Sequence, residues 1–175
     1  MTDTPDDLLL VNVVVEIEQH VAAVGWDQRP RLYALVDTAE LFEREPHLAT
    51  TIGTSPTGPI TPVEQESLPD GDLDEVLAAL AWPDEVIGCA LVNEVLMLPA
   101  EVAETAPDDV DEADWVAAHP GRREIRLAVA VMRDGARASC LRFRGDEGGE
   151  DEVLVGRQGQ DLVPNLADAL VATLR

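Results

Sequence analysis

The sequence predicts a single α+β domain over residues 1–175. Its centre is a predominantly antiparallel sheet of about four to five strands, covered by helices on both faces as a three-layer sandwich. Three observations predict it. First, Asp134-Gly135 lies between two β-prone runs, Ile125–Met132 and Ala136–Arg144, and an Asp-Gly pair in that setting is a strong hairpin signal. Second, both runs are apolar on alternating positions of either parity, as is Val86–Leu98, so the strands are expected to be buried on both faces. Third, helical apolar spacing appears near both ends of the sequence.

Residues 5–24 read as the first helix. Thr4 caps it, Pro5 suits the first helical position, Asp6 and Asp7 favour the positive end of the dipole, and Gly25 stops it. Asn12, Glu16, Gln19 and Ala23 form its polar stripe. Arg31–Val36 reads as a short strand. Asp37 or Thr38 then caps a helix through about Arg44, and a further turn or two begins at Pro46. Residues 54–62 are a loop by composition, and 63–68 are a candidate edge strand. Asp70 or Asp72 opens an amphipathic helix carrying Leu73, Val76, Leu77 and Leu80, which ends near Trp82 because Pro83 follows.

The long strand Val86–Leu98 is expected beside the hairpin. Residues 101–114 hold seven acids and no base, a solvated excursion with a short helix from Asp111 through His119. A two-residue hairpin loop would pair Arg133 with Ala136, Val129 with Cys140, Leu127 with Arg142 and Ile125 with Arg144, and would place Arg126 opposite Phe143. A second acidic loop, residues 146–151, leads to a short strand at Val153–Val155. The last helix runs from about Leu162 to Leu174, with leucines spaced four apart.

Net charge is −23, with 35 Asp and Glu against 12 Arg and no lysine. Such a chain repels phosphate backbones and anionic lipid, so neither nucleic acid nor membrane is expected as a partner. The apolar run from Leu8 is too short and too interrupted to span a bilayer, and no basic leader precedes it, so a cytoplasmic location is expected. Cys89 and Cys140 lie in apolar runs and read as buried, reduced thiols, with room to face each other on neighbouring strands.

Charge is segregated. Residues 122–144 sum to +5, leaving −28 for the remainder. Arg122, Arg123 and Arg126 begin one strand of the hairpin and Arg142 and Arg144 end the other, so pairing gathers them at one end, beside His119. Guanidiniums grip carboxylate or phosphate bidentately, which makes these six residues the candidate site for a small anionic ligand. The competing reading is internal neutralisation by the acidic stretches 101–114 and 146–152. Glu16 and His20, four apart, lack a third metal ligand, and no metal or other cofactor is expected. No P-loop, dinucleotide fingerprint, nucleophile elbow or EF-hand spacing is present.

Several runs carry a resemblance across nearly the whole chain: Gly25-Trp26-Asp27-Gln28, Leu35–Leu41, Thr61–Glu66, Trp82-Pro83, Gly88–Leu91, Trp115–Pro120 and Asp161–Pro164. Together they look like a small uncharacterised actinobacterial family. The resemblance implies an acidic, cytoplasmic bacterial protein and brings no activity or catalytic residues with it.

The sequence therefore points to a non-enzymatic domain that works through protein contacts, a homodimer being one form of them. The alternative is binding or turnover of an anionic metabolite at the arginine cluster.

Overall fold

The computed structural model describes residues 5–47, 58–145, 149–156 and 162–175. The elements, in chain order, are α1 (Pro5–Ala22), β1 (Arg31–Asp37), α2 (Thr38–Arg44), β2 (Ile60–Glu64), α3 (Leu73–Ala78), β3 (Val86–Met97), α4 (Ala100–Ala103), α5 (Glu112–Ala118), β4 (Arg123–Met132), β5 (Arg137–Phe143), β6 (Glu152–Gly156) and α6 (Pro164–Thr173). They form an α+β fold around one open antiparallel sheet, in the order β2-β1-β3-β4-β5-β6. Six strands replace the expected four or five. No described helix is long and apolar enough to cross a membrane.

Local chemistry explains most boundaries. Asp37 caps α2 by accepting from the Glu40 amide at 3.1 Å, and Asp72 caps α3 by accepting from the Asp74 amide at 2.9 Å. Asp111 caps α5 in the same way, from the Asp114 amide at 3.1 Å. The turn expected from Pro46 lies mostly outside the described residues.

The segment read as a loop over 54–62 supplies β2 from Ile60 onward, and the strand is displaced from the expected 63–68. Pro62 does not forbid it. Gln65 donates to the Leu32 carbonyl and Thr38 to the Pro59 carbonyl, so the ladder bonds to β1 fall at residues 59, 61, 63 and 65. The nitrogen of Pro62 points away from β1, where a missing N–H breaks no ladder bond.

Helices lie on both faces. On one face α1 sets Leu10, Val13, Val14, Ile17 and Val21 against Tyr33, Leu35, Ala90, Val92, Ala128, Ala130, Ala138 and Cys140. Four of those sheet residues are alanine, so the bulk comes from the helix and the backbones approach closely. On the other face Leu77 of α3 and Ala167, Leu170 and Leu174 of α6 and its end pack on Leu32, Ala34, Cys89, Leu91, Val129 and Val131. This layering covers the middle of the sheet. Val63 on β2, Leu96 and Met97 at the end of β3, and Val153 and Leu154 on β6 stay exposed.

The hairpin register differs from the expected one by a residue. Val129 pairs with Ser139, Ala128 with Cys140 and Arg126 with Arg142. The loop holds three residues, Arg133, Asp134 and Gly135. Met132 donates to the Ala136 carbonyl at 2.9 Å, Gly135 has φ +95°, and the Asp134 carboxylate accepts from the Ala136 amide. This is the other common hairpin solution, a tight turn ending on a left-handed glycine. The shift moves Arg142 onto the same face as Arg126, the face that α1 covers.

Candidate functional site

The five arginines do reach one end of the hairpin, but they do not form one open site. Arg126 is 1% exposed and the Arg142 side chain 19%. Between them stands Glu18, also 1% exposed, delivered by α1. Glu18 accepts from Arg142 Nε at 2.5 Å and Nη2 at 2.9 Å, a bidentate pair, and lies 3.6 Å from Arg126 Nη1. Those bonds hold the Arg142 guanidinium above its ordinary pKa, against the burial that works the other way.

Arg126 has looser partners. It donates to the Gly25 carbonyl, lies 3.9 Å from Glu94 of β3, and leaves Nε without a partner among the described residues. Its guanidinium is stacked on the Trp26 ring at 4.5 Å, and Arg144 sits 5.5 Å from the same ring. The indole N–H of Trp26 donates to Asp151 at 3.2 Å, and Asp151 lies 3.8 Å from Arg142.

Trp26 is carried on a turn between Gly25 (φ +108°) and Asp27 (φ +68°). Glu94 fastens that turn from β3 by accepting from the Asp27 amide at 2.7 Å and the Gln28 amide at 3.1 Å. Gln28 completes it by donating to the Val21 carbonyl at 2.9 Å and to the Gly25 carbonyl, satisfying the open end of α1. The whole arrangement is a clasp that joins α1, the 25–28 turn, β3, β4, β5 and the approach to β6.

The outer arginines belong to the surface. Arg144 donates to Glu124 and lies 3.7 Å from Asp27. Arg123 is stacked on Phe143 at 5.0 Å and lies 3.9 Å from Glu152. Arg122 donates to the His119 carbonyl at 3.1 Å and has no carboxylate partner among the described residues. His119 is a turn residue: its Nδ1 accepts from the Gly121 amide at 2.9 Å, and its ring packs 5.2 Å from Trp115. Arg122, Arg123 and Arg144 line an open depression of about 280 Å³ with Pro120, Glu124 and Gly145.

Neutralisation is therefore local but comes from unexpected quarters. Three guanidiniums at Arg126, Arg142 and Arg144 meet five carboxylates, from Glu18, Glu94, Asp151, Asp27 and Glu124. Asp151 and Glu152 come from an expected acidic stretch, while, among the described residues, 101–114 supplies no carboxylate to these arginines. Trp26 is the centre of the clasp, with Arg126 and Arg144 against its ring and Asp151 on its N–H. Glu18 had a signal in the sequence: it is the one acid within the stripe Leu10, Val14, Ile17 and Val21.

Cys89 and Cys140 are free, on β3 and β5 with β4 between them, and belong to opposite faces. They do not face each other. Burial pushes both thiols up to about 11, so neither is an activated nucleophile. Glu16 and His20 are both exposed, and no group of three metal-ligating side chains occurs among the described residues.

An open antiparallel sheet, helices on each face, and an arginine clasp paired with carboxylates of the same chain define the class: an α+β protein with its densest polar cluster at one end of the hairpin. The chain belongs to the PPA1309-like protein family, whose model matches residues 10–175. That family is uncharacterised. No curated protein and no solved structure shows significant similarity to the chain.

Proposed function

We propose that this protein is a non-enzymatic interaction domain that works through contact with another protein. The observation that carries the reading is the outer strand β6, where Val153 is 45% exposed and Leu154 48% on an otherwise strongly acidic molecule. Apolar side chains on a terminal strand, rimmed by charge, are what protein contacts use. The arginines that suggested anion chemistry support it indirectly, since Arg126 and Arg142 are occupied by Glu18.

The test is capture of partners from lysate at low and high salt, followed by isothermal titration with the purified partner. Affinity falling as salt rises is expected, because screening shortens from roughly 30 Å at 0.01 M to about 3 Å at 1 M. Absence of any partner with salt-sensitive affinity overturns the reading.

A second reading has one observation in its favour, the depression holding Arg122, Arg123 and Arg144. A carboxylated or phosphorylated metabolite there would raise the unfolding temperature, by the equivalent of about 2.7 kcal/mol at a hundredfold its dissociation constant. A thermal-shift screen with nucleotides and organic acids tests it, and Arg122→Ala should abolish any shift.

A further inference from the structure

The two outer strands of the sheet are finished differently. At one edge, β2 carries Pro62 with its nitrogen facing outward, so that edge lacks a donor where an incoming strand would need one. At the other edge, the residues of β6 from Val153 to Gly156 include no proline and no charge.

The ladder fixes which peptide groups of β6 are free. Met132 donates to Ala136 and Arg144 to Glu124, so the even-numbered residues of β5 bond β4 and the odd-numbered ones face β6. Ser139, Leu141 and Phe143 pair with Gly156, Leu154 and Glu152, which turns the N–H and C=O groups of Val153 and Val155 outward. No other strand of the described sheet lies beyond β6. The Val153 side chain lies on the α1 face with Val155, and Leu154 lies on the other, so an added strand would meet apolar contact on both sides.

Charge indicates what the added strand is. Glu150 and Glu152 are exposed at the start of β6, and the chain as a whole carries −23. A second copy would bring the same charge with it, whereas a basic segment is attracted at long range and matched at short range. We propose that β6 is the docking edge for an extended, basic segment of a partner protein, which joins the sheet as an additional strand through Val153 and Val155. This rests on the interaction-domain reading above and names both its surface and the chemistry of its partner.

The test is a titration of the isotopically labelled full chain with a capped heptapeptide of alternating lysine and valine, followed by amide exchange. In the free chain, the Val153 and Val155 amides exchange fast and the Leu154 amide, bonded to β5, exchanges slowly. Peptide should slow Val153 and Val155 by about tenfold or more, with binding that weakens steeply with salt. The glutamate–valine counterpart should do nothing.

Val153→Pro copies the device already present at Pro62. It should abolish protection at Val155 while thermal unfolding remains cooperative. Should that variant fail to fold, the Glu150→Gln, Glu152→Gln double variant decides, with peptide affinity expected to drop several-fold. Val153 and Val155 amides already slow in the dilute free chain, or slowing with chain concentration alone, would overturn the proposal in favour of an edge already covered or a second copy. Equal binding of both peptides, or undiminished binding by a folded Val153→Pro, would overturn it too. A salt-sensitive lysate partner that still binds folded Val153→Pro leaves an interaction domain that docks elsewhere, whereas no partner and no peptide binding remove both readings.

Discussion

Glu18 and Arg142 meet through two hydrogen bonds, of 2.5 and 2.9 Å, at the interface between α1 and the sheet. With Glu18 and Arg126 each 1% exposed, the pair is part of a desolvated network. Removing one partner from such a network leaves the other charge buried. Glu18→Leu should therefore cost about 3–5 kcal/mol in urea unfolding, because Arg126 and Arg142 both lose their shared carboxylate. Arg144→Ala, at the exposed Arg144–Glu124 pair, should move the urea midpoint far less than Glu18→Leu does.

Trp26 bridges the buried and exposed halves of the clasp, resting on Arg126 at 4.5 Å and bonding Asp151 at 3.2 Å. Trp26→Phe keeps a ring over Arg126 and loses the N–H bond, for an expected loss of about 1 kcal/mol. Trp26→Ala removes both and uncovers the guanidinium, and should cost about 2 kcal/mol more than the phenylalanine variant. Denaturant midpoints of the two variants, compared with the parent, measure the difference.

Gly88 lies where β3 passes β4. A Cβ there would meet the Val131 carbonyl oxygen at 2.4 Å and Met132 Sδ at 2.7 Å. The sulfur can swing aside and the carbonyl cannot. Gly88→Ala should destabilise the fold by about 1–3 kcal/mol, read as a lowered urea midpoint with an unchanged slope. Gly135→Ala, at φ +95° with open space around it, tests backbone strain alone and should cost about 1 kcal/mol.

Alkaline pH should unlock the core. Cys89 and Cys140 are pushed by burial from 9.0 to about 11, and burial raises Tyr33 as well. Because the folded values exceed the unfolded ones, the stability the two thiols contribute is complete below pH 9 and is lost as pH rises towards 11, and that of Tyr33 is complete below pH 10 and is lost above it. Each thiol should account for roughly 2–3 kcal/mol across that window. Cys89→Ala, Cys140→Ala should flatten the fall in unfolding free energy between those pH values.

Much of the fold was legible because periodicity and turn chemistry agreed. The hairpin, the long strand beside it, the short helix from Asp111 and both terminal helices followed from local pattern, and of the paired cap candidates the structure uses Asp37 rather than Thr38 and Asp72 rather than Asp70. Register did not. Asp-Gly by itself predicts a complete two-residue turn, whereas Arg133 belongs to the loop as well, and local sequence allows either loop length. That one residue sets Arg142 directly opposite Arg126, on the same face of the sheet, where a two-residue turn would put Phe143. β2 was obscured because its Thr, Pro and flanking Gly resemble a loop, and only its place at the sheet edge makes Pro62 acceptable. The partners of the arginines were the least legible part. Glu18 and Glu94 lie far from the hairpin in sequence, and tertiary packing alone brings them to it.

The placement of the two sulfurs has a practical result. Cys140 lies under α1, Cys89 lies under α6, and a layer of backbone separates them. Oxidation cannot link them without dismantling the sheet, and a small alkylating reagent reaches each only when its own helix lifts away. The native chain thus carries two independent stopwatches, one timing the release of each side of the molecule.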